Sequence, residues 1–173
     1  MRKILFLASI LAVITMSTNA QSTFEKGTKL VKLGAGINSN GIPFTVGVEF
    51  GVKNDLFGVE KLNLGVGGYF GFYGYSTSTS AYGATIKTST LVLGPGVTAN
   101  VHYQLIEKLD FYAGLSLGVS LSSATVNSNS SSTTTFAWGL AAGLRYELTP
   151  KFGIFLEGGK GAGFANLGVA YKF

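Results

Sequence analysis

Between Leu109 and Leu121 every second residue is apolar: Leu109, Phe111, Ala113, Leu115, Leu117, Val119 and Leu121. The residues between them are Asp110, Tyr112, Gly114, Ser116, Gly118 and Ser120. Period-two alternation puts one set on each face of an extended strand. The same pattern runs from Phe136 to Leu148 and from Leu91 to Leu105. Weaker versions cover Lys29 to Ile37, Pro43 to Val52, Leu62 to Tyr73, Phe152 to Leu156, and Gly163 to Phe173. The pattern predicts eight two-faced strands. Pro95 falls inside the fourth between Gly94 and Gly96, and since proline cannot donate to a ladder, a bulge is expected there.

The connections alternate too. Lys53 to Glu60, Ile106 to Lys108 and Thr149 to Lys151 are turns carrying charge or proline. Tyr75 to Lys87 and Ser122 to Thr135 are longer, rich in Ser and Thr, and read as loops. Asn38 to Ile42 and Lys160 to Ala162 fall on that same side but are short. Short turns at one end and longer loops at the other suit an even-stranded up-and-down barrel.

Ahead of the strands stands a leader. Arg2 and Lys3 precede an apolar run from Ile4 to Ile14 that only Ser9 interrupts, and Thr18 and Ala20 supply small residues before Gln21. This is the layout of a secretory signal peptide, residues 1–20, with cleavage after Ala20. About eleven apolar residues are too few to cross a membrane as a helix. The remaining domain is 21–173. Removing Arg2 and Lys3 from 13 basic residues leaves 11 against 8 acidic ones, too small an excess to argue for nucleic acid. With no cysteine and one histidine, no disulfide framework, metal centre or cofactor is expected.

Composition decides which face points outward. Charged residues are 12% of the chain, about half the roughly 25% of a soluble domain. A soluble barrel would turn its apolar face inward. That face carries many Leu, Phe, Tyr and Val side chains, and an eight-stranded interior is only just wide enough to be filled. The other face is largely Gly, Ser, Ala and Thr, which fits inside. The apolar face therefore points outward into lipid. Aromatic residues mark both rims: Phe44, Phe70, Phe72, Phe136 and Phe164 on the loop side, Tyr103, Phe111, Tyr146, Phe152, Tyr171 and Phe173 on the turn side.

The chain resembles the small eight-stranded bacterial outer-membrane barrels, OmpX-like and OmpA-transmembrane-domain-like, over essentially all of Gln21 to Phe173. The most specific element is the last strand, where Val169, Tyr171 and the terminal Phe173 keep the alternation. The resemblance implies that this strand is the signal read by the barrel-assembly machinery. With Phe173 closing the last strand, no periplasmic peptidoglycan-binding domain is expected, which favours the OmpX-like comparison. It further implies a Gram-negative outer membrane and a monomer.

Candidate chemistry is concentrated in the lumen. Lys32, Glu49, Asp110, Arg145, Glu147 and Lys172 all fall on the inward face, mostly toward the turns. Opposite charges in a narrow interior should pair, forming either a plug or a gate. His102 also faces inward near the turn end, where Glu107 and Asp110 are the carboxylates expected within its reach; no serine is placed to complete a triad, so a hydrogen-bonding role is expected. Above it, Gly71, Gly94, Gly96, Ser116, Gly118, Ser120 and Gly139 leave room for a cavity partly filled by Tyr69, Tyr73 and Phe155. Glycine pairs such as Gly158-Gly159 open no helix and so do not make phosphate loops. The Asn127 to Thr135 run reads as a solvated mobile loop whose hydroxyls suit sugars or a host surface. The expected function is structural or surface-interacting through 75–87 and 122–135; the alternative is a narrow pore for ions or small solutes.

Overall fold

The computed structural model describes residues 23–81, 84–126, 128–160 and 164–173; the expected leader lies outside them. Eight strands follow in order: β1 (Lys29–Ile37), β2 (Phe44–Lys53), β3 (Leu62–Ala81), β4 (Ala84–Ile106), β5 (Leu109–Val126), β6 (Asn129–Glu147), β7 (Phe152–Lys160) and β8 (Ala165–Lys172). Each pairs antiparallel with its neighbour in sequence, and β1 pairs with β8 from Leu30↔Lys172 to Ile37↔Ala165 to close the ring. The fold is an eight-stranded antiparallel up-and-down transmembrane β-barrel. Closure leaves no strand edge unpaired within the ring.

The two faces lie as the alternation requires. Leu33, Val97, Leu140 and Leu167 are all more than half exposed, whereas Glu49, His102, Asp110 and Arg145 are buried inside. Aromatic rings stand on the outer surface at both ends. Phe44 and Phe72, register partners on β2 and β3, pack with centroids 5.7 Å apart.

Inside, glycine makes room for large residues through cross-strand pairs. Tyr69 is the register partner of Gly96, Tyr112 of Gly143 and Phe155 of Gly168. At each of these glycines an added Cβ would come within 2.6 Å of the partner ring. An aromatic ring covering a cross-strand glycine also pins register.

Two expectations are corrected. The segments 75–87 and 122–135 are not loops: β3 and β4 stay paired up to Ala81↔Ala84, and β5 and β6 up to Val126↔Asn129. Threonine favours extended backbone, and hydroxyls bond across the ladders, Ser76 to Ser89 at 3.0 Å and Thr125 to Ser130 at 2.9 Å. The β4–β5 ladder reaches Thr88↔Val126, so β3 to β6 rise together as one four-stranded sheet. Asn127, part of the run read as a mobile loop, lies outside the described residues, as do 161–163 before β8.

Nor is there a bulge at Pro95. The β4–β5 register is the same on either side of it, Leu93↔Leu121 and Gly96↔Gly118. Only the bridges at Gly94 and Pro95 are missing on that side, while Phe70↔Pro95 stays paired toward β3. The proline's missing donor interrupts one ladder without inserting a residue.

Candidate functional site

The lower lumen, at the turn end, holds a chain of charges. Asp110 and Arg145 are register partners on β5 and β6, and their side chains meet at 2.9 Å. His102 on β4 places Nδ1 2.8 Å from Asp110 Oδ2 and Nε2 2.8 Å from Glu49 Oε1. Glu49 also accepts from the Asn100 amide at 2.7 Å and pairs with Lys32 at 3.2 Å. Glu49 stands on β2 and His102 on β4, with β3 between them. That bridge exists because β3 presents glycine at this level: a Cβ on Gly65 would lie 2.6 Å from Glu49 Oε1.

All six expected lumen charges therefore point inward, but they form two groups. Lys32, Glu49, Asp110 and Arg145 are joined through His102. Glu147 and Lys172 make a separate, more accessible pair at 2.7 Å, nearer the rim. His102 is the hub of the first group, which its isolation in the sequence did not signal. Both of its hydrogen-bond partners are carboxylates, not a hydroxyl. Glu107, the other carboxylate expected near it, instead accepts from the Gln104 amide through its backbone carbonyl. Glu157 was not singled out, yet it accepts a hydrogen bond from Tyr112 at 3.0 Å.

A second component had no sequence signal at all. Thr23 and Phe24, ahead of β1, are buried inside the barrel. The Phe24 ring stacks on the His102 imidazole, centroids 3.8 Å apart and planes 14° from parallel. Arg145 donates to the Thr23 carbonyl at 3.1 Å, and Asn63 donates to the Phe24 carbonyl. The chain turns back to reach this position: Thr28 N–H bonds the Glu25 carbonyl at 2.9 Å, with Gly27 at φ +92°, a conformation that suits glycine. Gly51 lets the returning strand pass, since a Cβ there would overlap the Glu25 carbonyl. Phe24 joins Leu30, Phe155 and Ala170 in the apolar core of the lumen.

Phe155 sits lower than expected, paired with Arg145 across β6 and β7. Above the charges lies a cavity of about 100 Å³ lined by Lys32, Tyr69, Asn100, Phe155 and Glu157 among others. A larger one, about 310 Å³, follows toward the loop end, with Tyr69 and Ser116 lining both. Tyr69, Tyr73, Gly71, Gly94, Ser116 and Ser120, expected around an upper cavity, line this second space.

A closed barrel with an apolar exterior has counterparts among known proteins. The outer membrane protein beta-barrel domain family matches residues 6–173. The chain belongs to that family. An outer membrane protein beta-barrel domain resides in the bacterial outer membrane, which accounts for the lipid-like exterior. Among solved structures it is similar to Ail, the attachment invasion locus protein of Yersinia pestis, in complex with the heparin analogue sucrose octasulfate. Identity there is 16%, the match covers 86% of this chain and 99% of that one, and the TM-score is 0.56. Neisserial surface protein A is similar at 16% identity, 84% and 95% coverage, and a TM-score of 0.52. At such identities the likeness is one of fold. No curated protein matches the chain in sequence.

Proposed function

We propose that this outer-membrane barrel is a non-catalytic surface-interaction protein whose protruding sheet captures extended segments of other proteins. The observation that carries the reading is an open edge. Among the described residues, β6 from Asn129 to Phe136 is paired with β5 alone, above the β7 ladder, whose described pairs reach Leu140↔Lys160. An unpaired row of backbone donors and acceptors is a template for strand addition. Proteins usually blunt such edges with charge or proline, and residues 129–136 contain neither. The structural likeness to Ail, whose name includes attachment and invasion, supports the same reading.

The plugged lower lumen supports a surface role over the narrow-pore alternative, with Lys32, Glu49, Asp110, Arg145, Glu147 and Lys172 acting as a plug. His102, held between two carboxylates, supports a role without catalysis. The proposal includes a monomer seated in outer-membrane lipid. It is delivered after removal of residues 1–20 and assembled by machinery that reads Val169, Tyr171 and Phe173.

The test is panning of a displayed random-peptide library on the protein in nanodiscs. Uncharged, β-rich peptides should be enriched over empty nanodiscs. Proline at Thr134 and at Thr135, in separate variants, removes donors that point to opposite sides of the strand. One variant should lose peptide capture while the barrel remains folded. Enrichment no better than empty discs, or capture by both variants equal to the parent, would overturn the proposal.

A further inference from the structure

We propose that the inward face of the protruding sheet, from Tyr69 up to Tyr75, binds an uncharged saccharide. This deepens the surface-interaction reading and rests on it, but at a different place: the face of the sheet rather than its edge.

Alternate positions of β3 set Tyr69, Gly71, Tyr73 and Tyr75 on one face. Tyr73 and Tyr75 are half-buried between exposed Phe72, Gly74 and Ser76. Their rings pack with centroids 6.1 Å apart and planes 17° from parallel. Tyr69 lies lower, its ring over Gly96, and lines the floor of the 310 Å³ cavity that Tyr73 also lines. That volume is at the lower end of the roughly 300–1,000 Å³ of small-molecule sites. The far wall supplies hydroxyls, Ser116 and Ser120 on β5. On the neighbouring rows, Tyr75 pairs with Thr90 and Ser120 with Thr135.

Flat aromatic rings beside hydroxyl groups match a pyranose, which presents C–H groups on a face and hydroxyls around its edge. Ser116 already donates to the Gly139 carbonyl at 3.4 Å, but a purely apolar ligand would offer the Ser120 hydroxyl nothing. Charge decides the class of sugar. The only charged residue between 71 and 94 or between 111 and 144 is Lys87, which is exposed at an odd position of β4, opposite in face to Thr88 and Thr90. A sulfated or carboxylated sugar needs cations to replace its water, and this face has none. The ligand is therefore neutral, unlike the sulfated sugar held by the structurally similar Ail complex.

Binding is read by isothermal titration calorimetry, because the single tryptophan, Trp138, stands on the outward face of β6 with Phe136 and Leu140. The protein in nanodiscs is titrated with maltohexaose, chitotetraose and mannohexaose, and with sulfated heparin oligosaccharides. At least one neutral sugar should bind saturably, with no dependence on salt, since no ion pair is screened. Tyr73→Ala and Tyr75→Ala should each weaken that binding about tenfold or more, while Ser76→Ala on the opposite face should not. Heat-modifiable migration on a detergent gel confirms that each variant is folded. Response to none of the neutral sugars, response only to the sulfated ones, salt-sensitive binding, or unchanged binding in both tyrosine variants would overturn the inference. Edge prolines that abolish peptide capture leave sugar binding intact, so loss of one activity is distinguishable from loss of the other.

Discussion

Phe24 stacks face to face on His102 inside the barrel, with ring centroids 3.8 Å apart. The contact joins the segment before the first strand to the hub of the lumen charges. The Arg145 guanidinium adds to it, its Cζ 5.5 Å from the Phe24 ring centre. Replacing Phe24 with Ala should lower the unfolding free energy by roughly 3–5 kcal/mol, as for other buried aromatics. Planar-bilayer recordings should show conductance in the variant that the parent lacks. Equal urea midpoints and equally silent bilayers would show that the segment is not a plug.

The two groups of lumen charges should differ sharply in what they contribute. Glu49 is fully buried and holds Lys32, His102 and Asn100 together. Glu49→Ala leaves the Lys32 ammonium without its carboxylate and removes the acceptor shared by His102 and Asn100, a loss of about 3–5 kcal/mol. Glu147→Ala opens a pair with a side chain 23% exposed on the Lys172 side, where solvent can take over, and should cost about 1 kcal/mol or less. Denaturant midpoints measured side by side check the order; equal losses would refute it.

Glycine's role in the lumen is spatial and can be counted by substitution. Gly143→Ala forces a methyl against the Tyr112 ring and should destabilise by about 1–3 kcal/mol. Gly158→Ala, whose methyl would lie 3.6 Å from the Phe164 carbonyl, should be nearly neutral. Thermal melts of the two variants decide, and the argument fails if Gly158→Ala is the worse one.

Removing Phe173 tests the proposed assembly signal. Its side chain is 60% exposed on the outer surface, while its backbone N–H bonds the Lys29 carbonyl at 3.1 Å where β8 meets β1. Deletion should reduce the amount of folded protein in the outer membrane, read by heat-modifiable migration. Phe173→Tyr should restore it, because the outward aromatic ring is retained. Normal levels after deletion would exclude the signal.

What the chain alone determined is what a period of two can carry. Alternation is local, so the strands, their inward and outward faces and the inward placement of Lys32, Glu49, Asp110, Arg145, Glu147 and Lys172 follow from the order of residues. Scarce charge and abundant glycine then say which face is which. Where the inward residues meet is a property of the closed ring. Glu49 reaches His102 across an intervening strand because Gly65, paired with Gly51 and Asn100, leaves the space between them open, and that placing depends on the register of two ladders. Phe24 carries no periodic signal; its place exists only once eight strands enclose a space. The Ser- and Thr-rich segments are extended because each is templated by a paired neighbour, a cooperative gain that a single segment read by itself does not display. Local pattern chose the walls, and only closure of the barrel decided what fills them.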